Sequence, residues 1–304
     1  MKERNWQILS GFVLKIIALV AMTLDHIGFF LMYQSPESSS SYQTGFVFRC
    51  IGRIAFPILV MLCAEGVHYT KHPWKYFFRL LAMNLAIQIG ETIYFYLIPG
   101  TTPRPESGAV HGNAFSDLSL ICLALILLKS KSWRKALSLL PIGFVILCYA
   151  IQVYESSEGG RTTVVWLPAY LRPDYSLMGL LFALGFFYAY PLADLFAKPL
   201  RDSLSLAKEE YRQTNGYRRL VNGTGAFFFF AITLIFWGIS YMGMQGDFRP
   251  YDNYGMRIQT YCLITLPLLY LYSGKRGYDS KPMRWITYLY YPVHMGILLL
   301  IFWL

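Results

Sequence analysis

The run from Leu14 to Tyr33, LKIIALVAMTLDHIGFFLMY, is apolar sequence after Lys15, broken by Thr23 and then by Asp25 and His26. A helix of about 20 apolar residues crosses the hydrocarbon core of a bilayer. A charged side chain near mid-bilayer costs roughly 2.5–3.5 kcal/mol on insertion scales, so it faces a protein interior and marks function. The expectation is a multi-spanning membrane protein with a polar core built around His26.

Nine stretches have the character of spans: 12–33, 45–68, 75–98, 113–129, 134–153, 174–195, 223–243, 257–273 and 284–304. The segment 162–174 is a candidate for a tenth, re-entrant or interfacial element. The fold class is therefore all-α, a polytopic bundle of about nine transmembrane helices in a single domain over 1–304. Composition agrees. Apolar residues make up 55% and charged residues 14%, against about 25% charged in soluble domains. The 24 Tyr, 22 Phe and 7 Trp suit interfacial belts. Trp166 and Trp237, which lie nearest the outer face, are read as interfacial anchors.

The net charge of +10 lies in loops rather than in a basic soluble module, which argues against nucleic acid. Lys2 and Arg4 precede the first span, and loop 34–44 carries no Lys or Arg. Loop 69–79 has Lys71, Lys75 and Arg79, loop 99–112 only Arg104, and loop 129–135 four basic residues. The alternation continues through 154–173, 196–219, 243–257 and 274–283. By the positive-inside rule this predicts a cytoplasmic N-terminus and an exoplasmic C-terminus. The long charged loop 196–219 is expected to be an interfacial helix on the cytoplasmic side. No cleavable signal peptide is expected, since the first span is long and lacks a small-residue cleavage site. All five cysteines fall in apolar spans with no CxxC pair, so neither a disulfide nor a metal site is expected.

Depth then groups the polar residues. Asp25 and His26 lie in the outer half of the first span, and Arg49 and Arg53 in the outer half of the second, one turn apart on one face. Asn84, Gln88 and Glu91 form a stripe on the third span. Asn113 and Asp117 open the fourth, and His294 sits mid-depth in the ninth. His26 is the candidate general base, with Asp25 as the second catalytic residue. Adjacent helical residues point about 100° apart, so Asp25 is free to pair with Arg49 or Arg53 instead. The arginines either neutralise acids or bind an anionic group or a developing oxyanion. Glu65, with His68 on the same face, either lines a cytoplasmic entry or marks the interface. Arg49, Arg53 and Glu65 are the candidate cofactor-binding residues. Glu91, Asn113, Asp117 and His294 are the candidate substrate-binding residues, His294 being equally readable as a second proton-handling or a structural histidine.

The stretches LKIIALVAMTLDHIG (14–28), FRCIGRIAFPILVMLCAEG (48–66), KYFFRLL (75–81) and YLYYPVHMGILLLI (288–301) together resemble the TraX family, named for its F-pilin acetylation member. The family is similar to acetyl-CoA-dependent integral membrane acyltransferases with an essential first-span histidine. The resemblance implies acetyl transfer from cytoplasmic acetyl-CoA to an amine or hydroxyl, a pilin-like N-terminus or a surface glycan. It implies a multi-pass protein of the bacterial inner membrane, and His26 matches the expected base. Read without the resemblance, the same polar core also fits a proton-coupled transporter or a non-catalytic scaffold for surface polymers.

Overall fold

The computed structural model describes residues 6–97, 113–157, 164, 166–167, 171–243 and 256–303. Its helices are α1 (Gly11–Gln34), α2 (Ser40–Gly52), α3 (Ala55–Tyr69), α4 (Pro73–Leu97), α5 (Ala114–Lys129), α6 (Leu139–Ser157), α7 (Ser176–Phe196), α8 (Lys198–Ser203), α9 (Lys208–Tyr211), α10 (Asn215–Gly243), α11 (Met256–Gln259), α12 (Leu266–Tyr270) and α13 (Lys281–Trp303). A 3₁₀ segment, Ser132–Ser138, leads into α6, and another, Thr260–Thr265, joins α11 to α12. Among the described residues, each of the nine expected stretches is mainly helical. Among the described residues, six helical runs are long and apolar enough to cross a membrane: Gly11–Gln34, Ser40–Tyr69, Ser132–Glu155, Ser176–Ser203, Asn215–Tyr241 and Lys281–Phe302. Six of the thirteen residues 162–174 lie outside the described residues.

Local chemistry sets the boundaries. Ser10, Ser39 and Asn113 cap α1, α2 and α5, each side-chain oxygen accepting from a backbone N–H of the first turn. The second expected span is broken at Arg53 and Ile54 into α2 and α3. Pro57 explains the break: it has no N–H to donate, and its ring would clash with the Arg53 carbonyl. The expected interfacial helix in 196–219 is instead two short pieces, α8 and α9, followed by the start of α10.

The chain divides into two compact units. The first comprises residues 1–62, 185–233 and 258–304. Here α1 packs on α2 through glycines: a Cβ on Gly28 would lie 2.5 Å from the Gly45 carbonyl oxygen, and one on Gly45 would lie 2.8 Å from the Gly28 carbonyl oxygen. Such contact is open only to residues without side chains. On another side α1 packs against α13. The chain entering α1 bonds to the chain entering α13: Leu9 N donates to the Leu271 carbonyl (3.0 Å), Ser273 N to Leu9 (2.8 Å), Gly11 N to Lys275 (2.8 Å) and Phe12 N to Arg276 (2.8 Å). At the other end the Gln34 amide donates to the Phe302 carbonyl. The two helices are therefore parallel and tied at both ends. Beside the entry, Asn222 Nδ2 donates to the carbonyls of Tyr270 (3.0 Å) and Tyr272 (2.7 Å). The Arg218 guanidinium lies 4.4 Å from the Tyr272 ring centroid, over Gly274, whose φ of +73° favours glycine. A core of Ala189, Ala193, Ala197, Tyr211, Tyr217 and Val221 joins α7, α9 and α10.

The second unit comprises residues 63–184 and 234–257. Ala124, Val145 and Leu180 form one core cluster, and Cys148, Ile151 and Leu167 another. Arg172 donates to both oxygens of Glu155 (2.6 and 2.9 Å) and to the Leu167 carbonyl (2.8 Å). Large apolar side chains such as Val20, Leu85, Ile89, Ile235, Leu300 and Ile301 are exposed, as lipid-facing surfaces require.

Candidate functional site

In the first unit α1, α2, α11 and α13 supply the polar cluster. Asp25 is buried on the α2 side of α1 and is gripped by both arginines: Arg49 Nη1 lies 3.0 Å from Oδ2, and Arg53 Nη2 donates to Oδ1. The i, i+4 spacing of Arg49 and Arg53 stacks them on one face. Gly52 makes room, because a Cβ there would occupy the space of the Asp25 side chain. One carboxylate against two guanidinia leaves one net positive charge. The Arg49 guanidinium also lies 5.6 Å from the Phe29 centroid, a cation–π contact.

Arg53 reaches further, donating from Nη1 to Gln259 Oε1 at 3.3 Å. Since a guanidinium only donates, the Gln259 oxygen must face it and the NH₂ must point elsewhere. Among the described residues the buried Gln259 Nε2 has no acceptor. Sequence reasoning passed over Gln259. A single amide in a short apolar stretch gives no periodic signal, and only the end of α11 brings it to Arg53.

His26 turns away from Asp25 toward α13. Its Nδ1 lies 2.7 Å from His294 Nε2, and His294 Nδ1 lies 2.7 Å from the Tyr290 carbonyl oxygen. The ring centroids are 4.9 Å apart with 28° between planes, so the rings meet edge to edge through the two nitrogens. Tyr291 presents itself edge-on to both. Next to them the Tyr290 hydroxyl bonds Thr23 at 2.6 Å, and Thr23 in turn donates to the Leu19 carbonyl. The tautomers follow from the partners. A carbonyl only accepts, so His294 Nδ1 carries a proton, and neutral His294 then accepts at Nε2. His26 Nδ1 must therefore be the donor. That leaves the lone pair of neutral His26 on Nε2, for which no partner exists among the described residues. His26 is partly exposed, whereas His294 is buried.

The remaining candidates fall in the second unit. Asn113 caps α5 through Oδ1 and donates from Nδ2 to Asn84 Oδ1 at 2.9 Å. Asp117 receives three backbone N–H groups, from Asp174 (2.8 Å), Tyr175 (3.1 Å) and Ser176 (2.8 Å). It thereby closes the N-terminus of α7, where a carboxylate meets the positive end of the helix dipole. Both side chains are engaged in helix starts. Glu65 is buried on α3. The side chain of Glu91 lies outside the described residues. His26, Asp25, Arg49, Arg53 and His294 are thus gathered in one unit, and Glu65, Asn113 and Asp117 belong to the other.

A family model described as TraX protein matches residues 10–196, from the start of α1 to the end of α7. The chain belongs to the TraX family. The matched stretch holds Asp25, His26, Arg49, Arg53 and Glu65, while Gln259 and His294 lie beyond it. A curated relative, the probable fimbrial assembly protein FimC, serogroup H1, of Dichelobacter nodosus, is 24% identical over 295 residues, covering 95% of this chain and 94% of the relative. No solved structure matches. Its long apolar helices and its TraX membership together make this a helical membrane protein.

Proposed function

We propose that this TraX-family chain is an integral acetyltransferase of the bacterial inner membrane. It moves an acetyl group from cytoplasmic acetyl-CoA to an amine or hydroxyl presented at the membrane or its outer side. The observation that carries the reading is the His26 ring: one nitrogen is tied to His294 and the other is left as a base, one residue along α1 from the Asp25 that holds two guanidinia. A neutral imidazole with a committed tautomer suits general-base work near pH 7. The fimbrial assembly relative favours a pilin-like N-terminal amine over a surface glycan as acceptor.

Acetyl-CoA would supply an activated acetyl thioester. His26 Nε2 takes the proton from the attacking amine or hydroxyl as its nitrogen or oxygen bonds to the thioester carbonyl carbon; the carbon–sulfur bond then breaks, the proton passes to the departing thiolate, and CoA leaves toward the cytoplasm. The net positive charge on the Asp25–Arg49–Arg53 group and the Gln259 NH₂, which has no acceptor among the described residues, favour negative charge developing on the thioester carbonyl oxygen. The donor set of this cluster fits one developing anionic oxygen. The several phosphates of the donor need further cations, which the basic loops between spans supply.

The test is transfer from labelled acetyl-CoA to a peptide with a pilin-like N-terminus, by the purified full chain in detergent. Native protein is expected to transfer and His26→Ala to lose about 10²–10⁴-fold, the usual worth of a general base. Donor binding should survive in the variant. No transfer by folded native protein to any amine or hydroxyl acceptor would overturn the proposal. Rapid quench without acceptor separates direct attack from an acetyl-His26 route, since only the second leaves label on the protein.

A further inference from the structure

We infer that His294 is a positioning residue: it holds His26 in the Nδ1–H tautomer and so makes Nε2 the working atom. The inference deepens the acetyltransferase reading and rests on it for its purpose, though not for its geometry. Free histidine in water favours the opposite tautomer, with the proton on Nε2. In that form the basic nitrogen would be Nδ1, close to the α1 backbone, and Nε2 would already be protonated and useless as a base. The 2.7 Å contacts from His26 Nδ1 to His294 Nε2 and from His294 Nδ1 to the Tyr290 carbonyl reverse this preference. The carbonyl is the fixed end of the chain, because it accepts and never donates.

Every neighbouring group agrees with the assignment. On α1, Asp25 is committed to Arg49 and Arg53 and so leaves His26 to α13. On α13, Tyr291 meets both imidazoles edge-on, and the Tyr290 hydroxyl is engaged by Thr23. Among the described residues no carboxylate is bonded to His26; a second, buried imidazole orients it, as the outer partner of a metal-bound histidine orients that ring. When His26 Nε2 accepts the acceptor's proton, the imidazolium formed still donates from Nδ1 to His294, so the pair needs no rearrangement during the step.

The experiment is ring-¹⁵N histidine spectroscopy of the full chain in detergent micelles near pH 8, with His26→Ala used to assign the resonance. Native His26 is expected to be protonated at Nδ1. His294→Ala is expected to return it to the Nε2–H form and to slow transfer about 10²-fold with little change in donor KM. His294→Gln keeps an acceptor oxygen and a donor NH₂, and is expected to preserve the tautomer and recover most of the rate. Native His26 protonated at Nε2, or a tautomer unmoved in His294→Ala, would overturn the inference whether or not the chain transfers acetyl groups. The native spectrum alone decides the tautomer if a variant fails to fold. An Nδ1–H spectrum from a chain that transfers nothing would sink the acetyltransferase reading and leave the positioning role of His294 standing.

Discussion

Asp25 shows how tightly residue identity is constrained inside this bundle. Its two oxygens are divided between Arg49 and Arg53, and all three side chains are largely removed from solvent. Removing one member of a buried ion group leaves uncompensated charge, typically at a cost of 3–5 kcal/mol. Asp25→Ala takes the shared carboxylate from two guanidinia at once, whereas Arg49→Ala leaves the Asp25–Arg53 pair intact. Asp25→Ala is therefore expected to lower stability by about 3–5 kcal/mol and Arg49→Ala by less, read from detergent melts of the two variants. The reverse order would mean that Asp25 is not the hub of the cluster. Much of this cluster is legible in sequence, because Arg49 and Arg53 share a face by spacing and Asp25 lies at matching depth. The His26–His294 bond is not, since 268 residues separate the two rings and only the folded neighbourhood of α1 and α13 joins them. Nor do spacing and depth reveal that Asn113 and Asp117 act as helix caps, since a polar residue near a span's mouth reads the same whether it meets a substrate or a backbone.

At the scale of elements, the positions of the helices follow from apolar run length, while their breaks follow from single residues. Pro57 splits the second span, and Ser10, Ser39 and Asn113 start helices where capping chemistry places them. The α1–α2 seam depends on Gly28, Gly45 and Gly52. Their importance is visible only once the partner helix is known, because glycines are common in spans. Gly28→Ala would drive a methyl into the Gly45 carbonyl and the Arg49 backbone nitrogen, 2.5 and 2.9 Å away, and neither backbone atom can swing aside. Gly52→Ala would press on Asp25 itself. Overpacking of this kind costs about 1–3 kcal/mol or more, and Gly52→Ala is expected to weaken transfer as well by displacing Asp25. Gly90 and Gly143 are helical with nothing within 4 Å of an added Cβ. Alanine at either is expected to be neutral or stabilising by up to about 1 kcal/mol, the helix-propensity difference. Equal losses at all four positions, in parallel detergent melts, would refute the seam as the point of close contact.

For the whole molecule, the parallel pairing of α1 and α13 sets the parity of the membrane crossings. The chains entering both helices are bonded together, so both enter from the same face, and their far ends are joined by Gln34 and Phe302. The total number of spans must then be odd. The six long apolar runs cannot satisfy this alone. The stretch Met256–Tyr270 is the natural addition: nine α-helical and six 3₁₀ residues at about 1.5 and 2.0 Å each reach about 25 Å, near the hydrocarbon thickness. It brings the count to seven. Adding both α4, about 37 Å long with its charged Lys75 and Arg79 at the entering end, and α5, about 24 Å long, gives nine. Seven and nine differ at one place, since residues between α4 and α5 stay cytoplasmic in the first case and emerge outside in the second. The Lys/Arg alternation favours nine. All five native cysteines are buried thiols, so introduced cysteines report cleanly. In intact spheroplasts a membrane-impermeant maleimide is expected to label Ser38→Cys and Ser107→Cys, and to label Ser203→Cys only after lysis. Labelling at 38 with protection at both 107 and 203 would reduce the bundle to seven spans and keep α4 and α5 on the cytoplasmic side. Labelling at 203 in intact cells would instead break the odd parity that the α1–α13 pairing demands, unless a crossing is gained or lost elsewhere, and would call that pairing itself into question.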